Sequence, residues 1–372
     1  MIKIGITELH GIAQEVMANP PEGVRYLKVD NTPIWTNFFL RSSAIGVLDY
    51  FEGDDCDILE APLFPIFTRK PWVYTPARFS GATSFNFLGI PIPKFIRVFL
   101  IKQLMLRDNF LGLVFKSEAG VETLKSYGRV KDKRIFEKVH VAYPCMREVE
   151  DQYIRYNTDK VNFTFSGDFF RKGGASVVDA FERLQQEYDN IALRVCTLPD
   201  MVRIKNDKLR VKYLNKLKAN SNIEFGPVQR DVMLQEVLPE TDVFVSPTFQ
   251  EAFGFAILEA SAYGIPVIST RHFAIPEIIE DGESGFLIPT AQFDYIRKGK
   301  KYILDDIPQD FHDYMTDQVY EHMKTLIEQP ELRRTMGQKG LAIARTKFSF
   351  EERNKKMKQI YDEGLKRLAQ KK

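Results

Sequence analysis

Ser246–Thr270 reads SPTFQEAFGFAILEASAYGIPVIST and continues over Arg271–Pro289 as RHFAIPEIIEDGESGFLIP. A strand ends near Ser246-Pro247, a loop carries Glu251-Ala-Phe-Gly254, and a helix opens at about Phe255 and bears Glu259. Gly264 stops that helix, because glycine accepts the left-handed conformation in which many helices end. The loop and first helical turn leave backbone N–H groups without intrahelical partners at the positive end of the helix dipole. That arrangement binds phosphate or another anion. Gly254 has no Cβ to hold a ligand away from the backbone. Glu259, inside the first turns, is placed to accept two hydrogen bonds from a sugar diol, as acids do with ribose hydroxyls.

Outward from this stretch, short apolar runs alternate with helical spacing. Val161–Phe165, Ile191–Thr197, Asn222–Phe225, Asp242–Ser246, Pro266–Ser269 and Gly285–Ile288 read as buried strands, with helices over Ala175–Tyr188, Lys205–Leu217, Val232–Val237, Phe255–Tyr263 and Pro276–Glu280. The first half repeats the alternation: strands at Ile2–Ile6, Arg25–Val29, Asp57–Ala61, Trp72–Thr75, Leu111–Phe115 and Lys138–Ala142, and helices at Ile34–Phe51, Lys94–Arg107 and Ala119–Tyr127. In Lys94–Arg107 the residues Phe95, Val98, Phe99, the Lys102 stem, Met105 and Leu106 form one apolar face. Strands alternating with helices predict an α/β fold of two doubly wound parallel-sheet domains. The expected boundaries are 1–146 for the first domain, 147–160 for a polar hinge, 161–345 for the second domain and 346–372 for a tail ending in the helix Phe350–Lys372.

A second chemical element is Phe165-Ser-Gly-Asp-Phe-Phe-Arg-Lys-Gly-Gly174, which leaves a strand and enters a helix. Arg171 and Lys172 supply two positive charges of the kind a leaving diphosphate needs.

Residues 222–289 resemble, almost in register, the C-terminal domain of retaining GT-B glycosyltransferases of the family-4 type. The resemblance rests on NIEFGPV, TDVFVSPTFQEAFGFAILEASAYGIPVIST, IPEII and DGESGFLIP, and on Glu251 and Glu259 separated by seven residues. It implies two Rossmann-like domains facing across a cleft, with the last helix crossing back to the first domain. It implies that Glu259 holds the nucleotide ribose and that Glu251 faces the transferred sugar. Backbone groups of Ala252, Phe253, Gly254, Phe255 and Ala256 would hold sugar and diphosphate oxygens, and Gly167, Arg171 and Lys172 would embrace the diphosphate. Glu251, Arg171 and Lys172 would carry catalysis. The base would lie by Thr197, Leu198 and Val228, and because such contacts are mostly to backbone, uracil and guanine both remain open.

Three positions depart from the family's pattern. Asp168 stands where an Arg is usual, so Arg171 is expected to supply the guanidinium. Pro76-Ala77-Arg78 replaces a His that contacts the donor sugar, which makes Arg78 its candidate substitute. No Gly-Gly pair follows the first strand, and Gly11, beside His10, is the glycine available there.

The resemblance implies transfer of a sugar from a UDP- or GDP-sugar to an acceptor hydroxyl, with retention and without a metal or other cofactor. The alternatives are a nucleotide-sugar-binding protein without turnover, and a GT-B phosphorylase or epimerase.

Composition narrows the classes further. The chain has 372 residues, 44% of them hydrophobic and 27% charged, which excludes disordered, collagenous and coiled-coil chains. Cys56, Cys145 and Cys196 are widely spaced, so neither a disulfide scaffold nor a zinc ribbon is expected, and a cytoplasmic location is. No GxGxxG follows a strand, no GxxxxGK[ST] occurs, and no HExxH is present. Residues 1–60 carry 4 basic and 10 acidic side chains, whereas residues 61–147 carry 15 basic and 5 acidic. From Ala61 to Arg107 there are seven basic residues and no acidic one. Such a cluster is either a solvated helix face or a site for an anionic partner, such as a phosphorylated or lipid-linked acceptor or an acidic membrane touched through residues 69–107. No nucleic-acid module accompanies it.

Overall fold

A computed structural model describes the chain except residues 10–12, 33–39, 42–48, 88–89, 91, 157–159, 294–306 and 371–372. The chain divides into two compact units, one made of residues 1–147 with 347–372 and the other of residues 148–346.

The first unit holds β1 (Ile2–Ile6), β2 (Val24–Lys28), β4 (Ile58–Ala61), β5 (Trp72–Tyr74), β7 (Phe110–Phe115) and β8 (Val139–Val141) in one sheet. Its order is β2-β1-β4-β5-β7-β8, every pairing parallel. Each residue of β4 and β7 is buried, as expected of strands covered by helices on both faces. β3 (Leu40–Arg41) and β6 (Asn86–Phe87) form a small antiparallel pair beside it.

The C-terminal helix, Phe350–Ala369, belongs to this unit. Its Met357, Ile360 and Tyr361 share a core with Ile4, Ile58, Val73 and Leu111. A Cβ on Gly364 would lie 2.8 Å from that of Leu111, so the glycine sets how closely this helix sits on β7. Tyr361 donates to the buried Glu60 carboxylate at 2.5 Å, with the Tyr26 hydroxyl 3.2 Å from that of Tyr361. Arg353 supplies the countercharge 3.9 Å from Glu60.

The second unit holds β9 (Val161–Ser166), β10 (Ile191–Cys196), β11 (Ile223–Gly226), β12 (Val243–Ser246), β13 (Val267–Thr270) and β14 (Gly285–Ile288), again all parallel. Their order is β11-β10-β9-β12-β13-β14. The chain therefore runs outward from β9 to β11 and then returns to the other side of β9. The reversal opens a crevice beyond the carboxyl ends of β9 and β12, where α/β sheets bind ligands. On the helix layer, Asp179 accepts from Tyr213 at 2.7 Å and from Lys216 at 2.7 Å, with His312 Nε2 at 2.8 Å. One carboxylate thus ties together the helices Gly174–Leu184, Asp207–Ala219 and Gln309–Glu328.

Four readings of local structure need correction. Of the helix expected over Ile34–Phe51, the described residues are not helical: Leu40–Arg41 is a strand and Tyr50 bridges Phe67, whereas residues 33–39 and 42–48 lie outside the described residues. Tyr50 is aromatic, a residue type that favours extended backbone. Pro276–Glu280 shrinks to a single 3₁₀ turn, Ile275–Glu277, before Gly282 takes a φ of 78°. Val232–Val237 is a π turn at Met233–Val237 that continues one α turn, Arg230–Val232. Helix Lys94–Leu106 buries Val98, Ile101, Leu104 and Met105, whereas Phe95 and Phe99, placed above on one face with Val98 and Met105, are exposed and so lie on a different face. No described helix is long and apolar enough to cross a membrane.

Candidate functional site

The turn after β9 is built on two buried rings. Phe169 and Phe170 are fully buried, each with its ring centroid 5.7 Å from that of Tyr213, and they anchor the turn from below. Lys172 N and Gly174 N bond back to the carbonyls of Asp168 and Phe169 at 2.9 and 2.7 Å. Gly173, at φ 80°, presses against the next loop so closely that a Cβ would lie 2.5 Å from the Pro247 carbonyl oxygen. Only glycine tolerates both the backbone angle and the contact. Phe249 N then donates to Arg171 O at 3.1 Å. The two loops are thereby joined, and Arg171 and Lys172 are brought to the Glu251 loop.

Lys172 Nζ donates to Glu251 Oε2 in a close ion pair, both side chains being mostly buried. Glu251 Oε1 accepts from Ala252 N at 2.9 Å, which fixes the other carboxylate oxygen. Phe253 is fully buried, with its ring 5.4 Å from that of Phe255, while Ala252 and Ala256 are exposed. Gly254, at φ 115°, precedes the helix Phe255–Ala262, and its carbonyl accepts from Leu258 N at 2.9 Å. The N–H groups of the first turn are left pointing out of the helix start.

Glu259 is buried on that helix, and Arg230 grips both its oxygens, with Nη1 to Oε2 at 2.6 Å and Nη2 to Oε1. Sequence reading missed Arg230, which comes from the segment after β11 and has no local signature.

Asp168, 6% exposed, is neutralised. Its Oδ1 accepts from Arg171 N at 3.3 Å, and its Oδ2 lies 3.7 Å from both Arg171 Nη2 and Arg203 Nε. Arg203 also went unread in the sequence. Arg171 Nε is buried with no hydrogen-bond partner.

The expected base-side residues sit on the adjoining loops. Thr197 Oγ1 donates to Gly167 O at 2.7 Å, and Thr197 N to Gly226 O at 3.0 Å, so the turns after β9, β10 and β11 are linked. Leu198 is exposed, Val228 is half-buried, and nothing lies within 4 Å of a Cβ placed on Gly226. Gly11 lies outside the described residues. Arg78 is half-buried in the first unit, in the turn that follows β5. Among the described residues no three His, Cys, Asp or Glu side chains cluster as metal ligands would.

Residues 146–342 match the family described as Glycosyl transferases group 1. The chain is 29% identical over 148 residues to N-acetyl-alpha-D-glucosaminyl L-malate synthase of Bacillus anthracis, covering 38% of this chain and 35% of that protein. It is 33% identical over 129 residues to D-inositol 3-phosphate glycosyltransferase of Pseudarthrobacter chlorophenolicus, covering 33% and 30%. It is 31% identical over 121 residues to lipopolysaccharide glucosyltransferase WaaG of Escherichia coli, covering 32% and 30%. The match thus spans about a third of the length of these relatives. Among solved structures, sucrose-phosphate synthase from Thermosynechococcus elongatus superposes with a TM-score of 0.64 at 13% identity, over 97% of this chain and 98% of that one. Anabaena Alr3699/HepE in complex with UDP gives a TM-score of 0.64 at 14% identity, over 97% and 100%. At such identities the likeness is one of fold, and the fold is GT-B.

Proposed function

This chain belongs to the glycosyl transferases group 1 family, whose match covers residues 146–342, and on that premise we propose that it transfers a sugar from a UDP- or GDP-sugar to an acceptor hydroxyl, with retention of configuration. The observation that carries this reading is the convergence of Lys172, Glu251 and the helix start at Gly254 beyond the carboxyl ends of β9 and β12.

In this reading the diphosphate lies against the amides at 253–256 and the charges of Arg171 and Lys172. As the glycosidic bond breaks, negative charge grows on the leaving phosphate and positive charge on the sugar. Arg171 and Lys172 stabilise the first, and fixed donors of this kind act without reorganising. The Arg171 Nε left without a partner supports that role, since a buried donor costs free energy until it is satisfied. Glu251 holds Lys172 in place through one carboxylate oxygen and faces the sugar hydroxyls. Glu259 accepts from the ribose hydroxyls while Arg230 keeps its carboxylate oriented. The departing phosphate itself receives the acceptor's proton. With two cations and a helix start at the diphosphate, no metal or other cofactor is required.

The acceptor in this reading is a sugar, a lipid-linked or a phosphorylated molecule. The chain works in the cytoplasm, in peripheral contact with an anionic membrane through residues 69–107.

Calorimetric titration with UDP-, GDP-, ADP- and TDP-sugars tests the proposal, followed by incubation with a panel of hydroxyl acceptors. Selective binding of a UDP- or GDP-sugar is expected, with release of the nucleoside diphosphate on turnover. Absence of binding to every nucleotide sugar refutes the assignment of Glu259, Arg171 and Lys172. Binding without turnover favours a nucleotide-sugar-binding protein.

A further inference from the structure

Helix Lys94–Leu106 is apolar on two arcs. One holds Val98, Ile101, Leu104 and Met105 and is buried in the first unit. The other holds Phe95, Ile96, Phe99 and Leu100, and it faces solvent, with Phe95 75% and Phe99 57% exposed. At spacings of one and four residues these four side chains make a continuous stripe across two turns. Among the described residues eleven large apolar side chains are exposed, and six of them fall between Phe87 and Leu100. Such a concentration on one helix and the segment leading into it is not scatter, because isolated exposed apolar side chains are ordinary and a contiguous patch is not.

The charges around the stripe point to what covers it. The seven basic residues between Ala61 and Arg107 have no acidic side chain among them. Lys94 stands 3.8 Å over the Tyr127 ring and Arg97 donates to the Thr83 carbonyl, so two cations are fixed at the helix start. Lys102 and Arg107 follow towards its end. A second copy of this chain would press like charges together. An anionic lipid surface accepts both components: phenyl rings enter the acyl boundary while lysine and arginine stay with the headgroups.

We propose that helix Lys94–Leu106 is a membrane-docking element that lies flat on an anionic bilayer with Phe95, Ile96, Phe99 and Leu100 inserted. This narrows the peripheral contact proposed above to one helix face and rests on that part of the reading, not on the donor assignment.

The test is co-sedimentation of the full chain with phosphatidylcholine vesicles, plain or containing about one third phosphatidylglycerol. Expected are binding to the anionic vesicles only, weakening with added salt, and about a tenfold or greater fall in partitioning for the Phe95→Ser, Phe99→Ser double variant. Both side chains are exposed, so the variant should melt as the parent does and keep its affinity for nucleotide sugar. If the parent fails to bind anionic vesicles, the membrane contact is refuted. If parent and variant bind equally, the contact survives and its assignment to this helix is refuted. Light scattering supplies the remaining arm: a dimer that the double variant abolishes, without vesicle binding, would show that a second copy covers the stripe and overturn the proposal. A chain that docks on vesicles yet binds no nucleotide sugar would refute the proposed function alone.

Discussion

Arg230 holds both carboxylate oxygens of Glu259 although the two stand 29 positions apart, which joins the segment after β11 to the helix after β12. A guanidinium fork presents the carboxylate in one plane, and lysine cannot reproduce that geometry. Glu259→Ala should weaken nucleotide-sugar binding by about tenfold to a hundredfold, the range for a hydrogen-bonded charge. Arg230→Ala should lower stability by about 1–2 kcal/mol, the half-exposed guanidinium being partly screened by solvent. Calorimetry reads the first and urea unfolding the second. Donor affinity unchanged in Glu259→Ala would remove this residue from the donor site.

Lys172 is held against Glu251 before any donor arrives, so its charge is already placed. Lys172→Ala should reduce turnover at saturating donor by about a hundredfold, the usual loss for one preorganised donor to a developing anion. A change confined to KM would mean that Lys172 binds ground state and transition state equally.

Gly173 makes the contact that joins the two site loops. Gly173→Ala places a Cβ 2.5 Å from the Pro247 carbonyl at a φ of 80°. Strain and overpacking together should cost at least about 2 kcal/mol. Gly226→Ala, with nothing within 4 Å of the new methyl, should be close to neutral by comparison. Equal melting temperatures for the two variants would contradict the close approach.

Asp179 should make stability pH-dependent. Burial alone would raise its pKa, but the hydrogen bonds from His312, Lys216 and Tyr213 outweigh it and hold the carboxyl well below its ordinary 3.8. The folded chain therefore gives up this proton more readily than the unfolded chain. The resulting stabilisation is complete above the unfolded value and is lost as pH falls through the folded one. Asp179→Asn should be less stable than the parent at neutral pH, with the gap closing in acid below about pH 4. Unfolding followed by circular dichroism across that range checks it, and a constant gap would contradict it.

Much of the second unit is legible from sequence because strands such as β12 and β13 are buried on both faces. Runs such as Val243–Ser246 and Val267–Thr270 then need no alternating pattern to be seen. The Glu251 loop and the helix start are equally legible, since a chemical arrangement is written there in consecutive residues. Arg203 and Arg230 are not, because they reach the site across the sheet order rather than along the chain. Helix Lys94–Leu106 shows another limit. Its spacing supports two apolar arcs, and periodicity identifies a face without saying which face meets the core.

The first unit draws its sheet from residues 2–141 and a covering helix from Phe350–Ala369, whereas the second is one continuous stretch, 148–346. During synthesis the second unit can complete its core as soon as its own residues emerge. The first cannot: the face of Ile4, Val73 and Leu111 that receives Met357 and Ile360 stays uncovered until the helix Phe350–Ala369 has been made. Glu60 meanwhile lacks both Tyr361 and Arg353. Residues 1–147, made before the second unit, therefore finish folding after it, and ribosome-bound chains ending before Phe350 should be sensitive to protease in residues 1–147 while residues 148–346 already resist it.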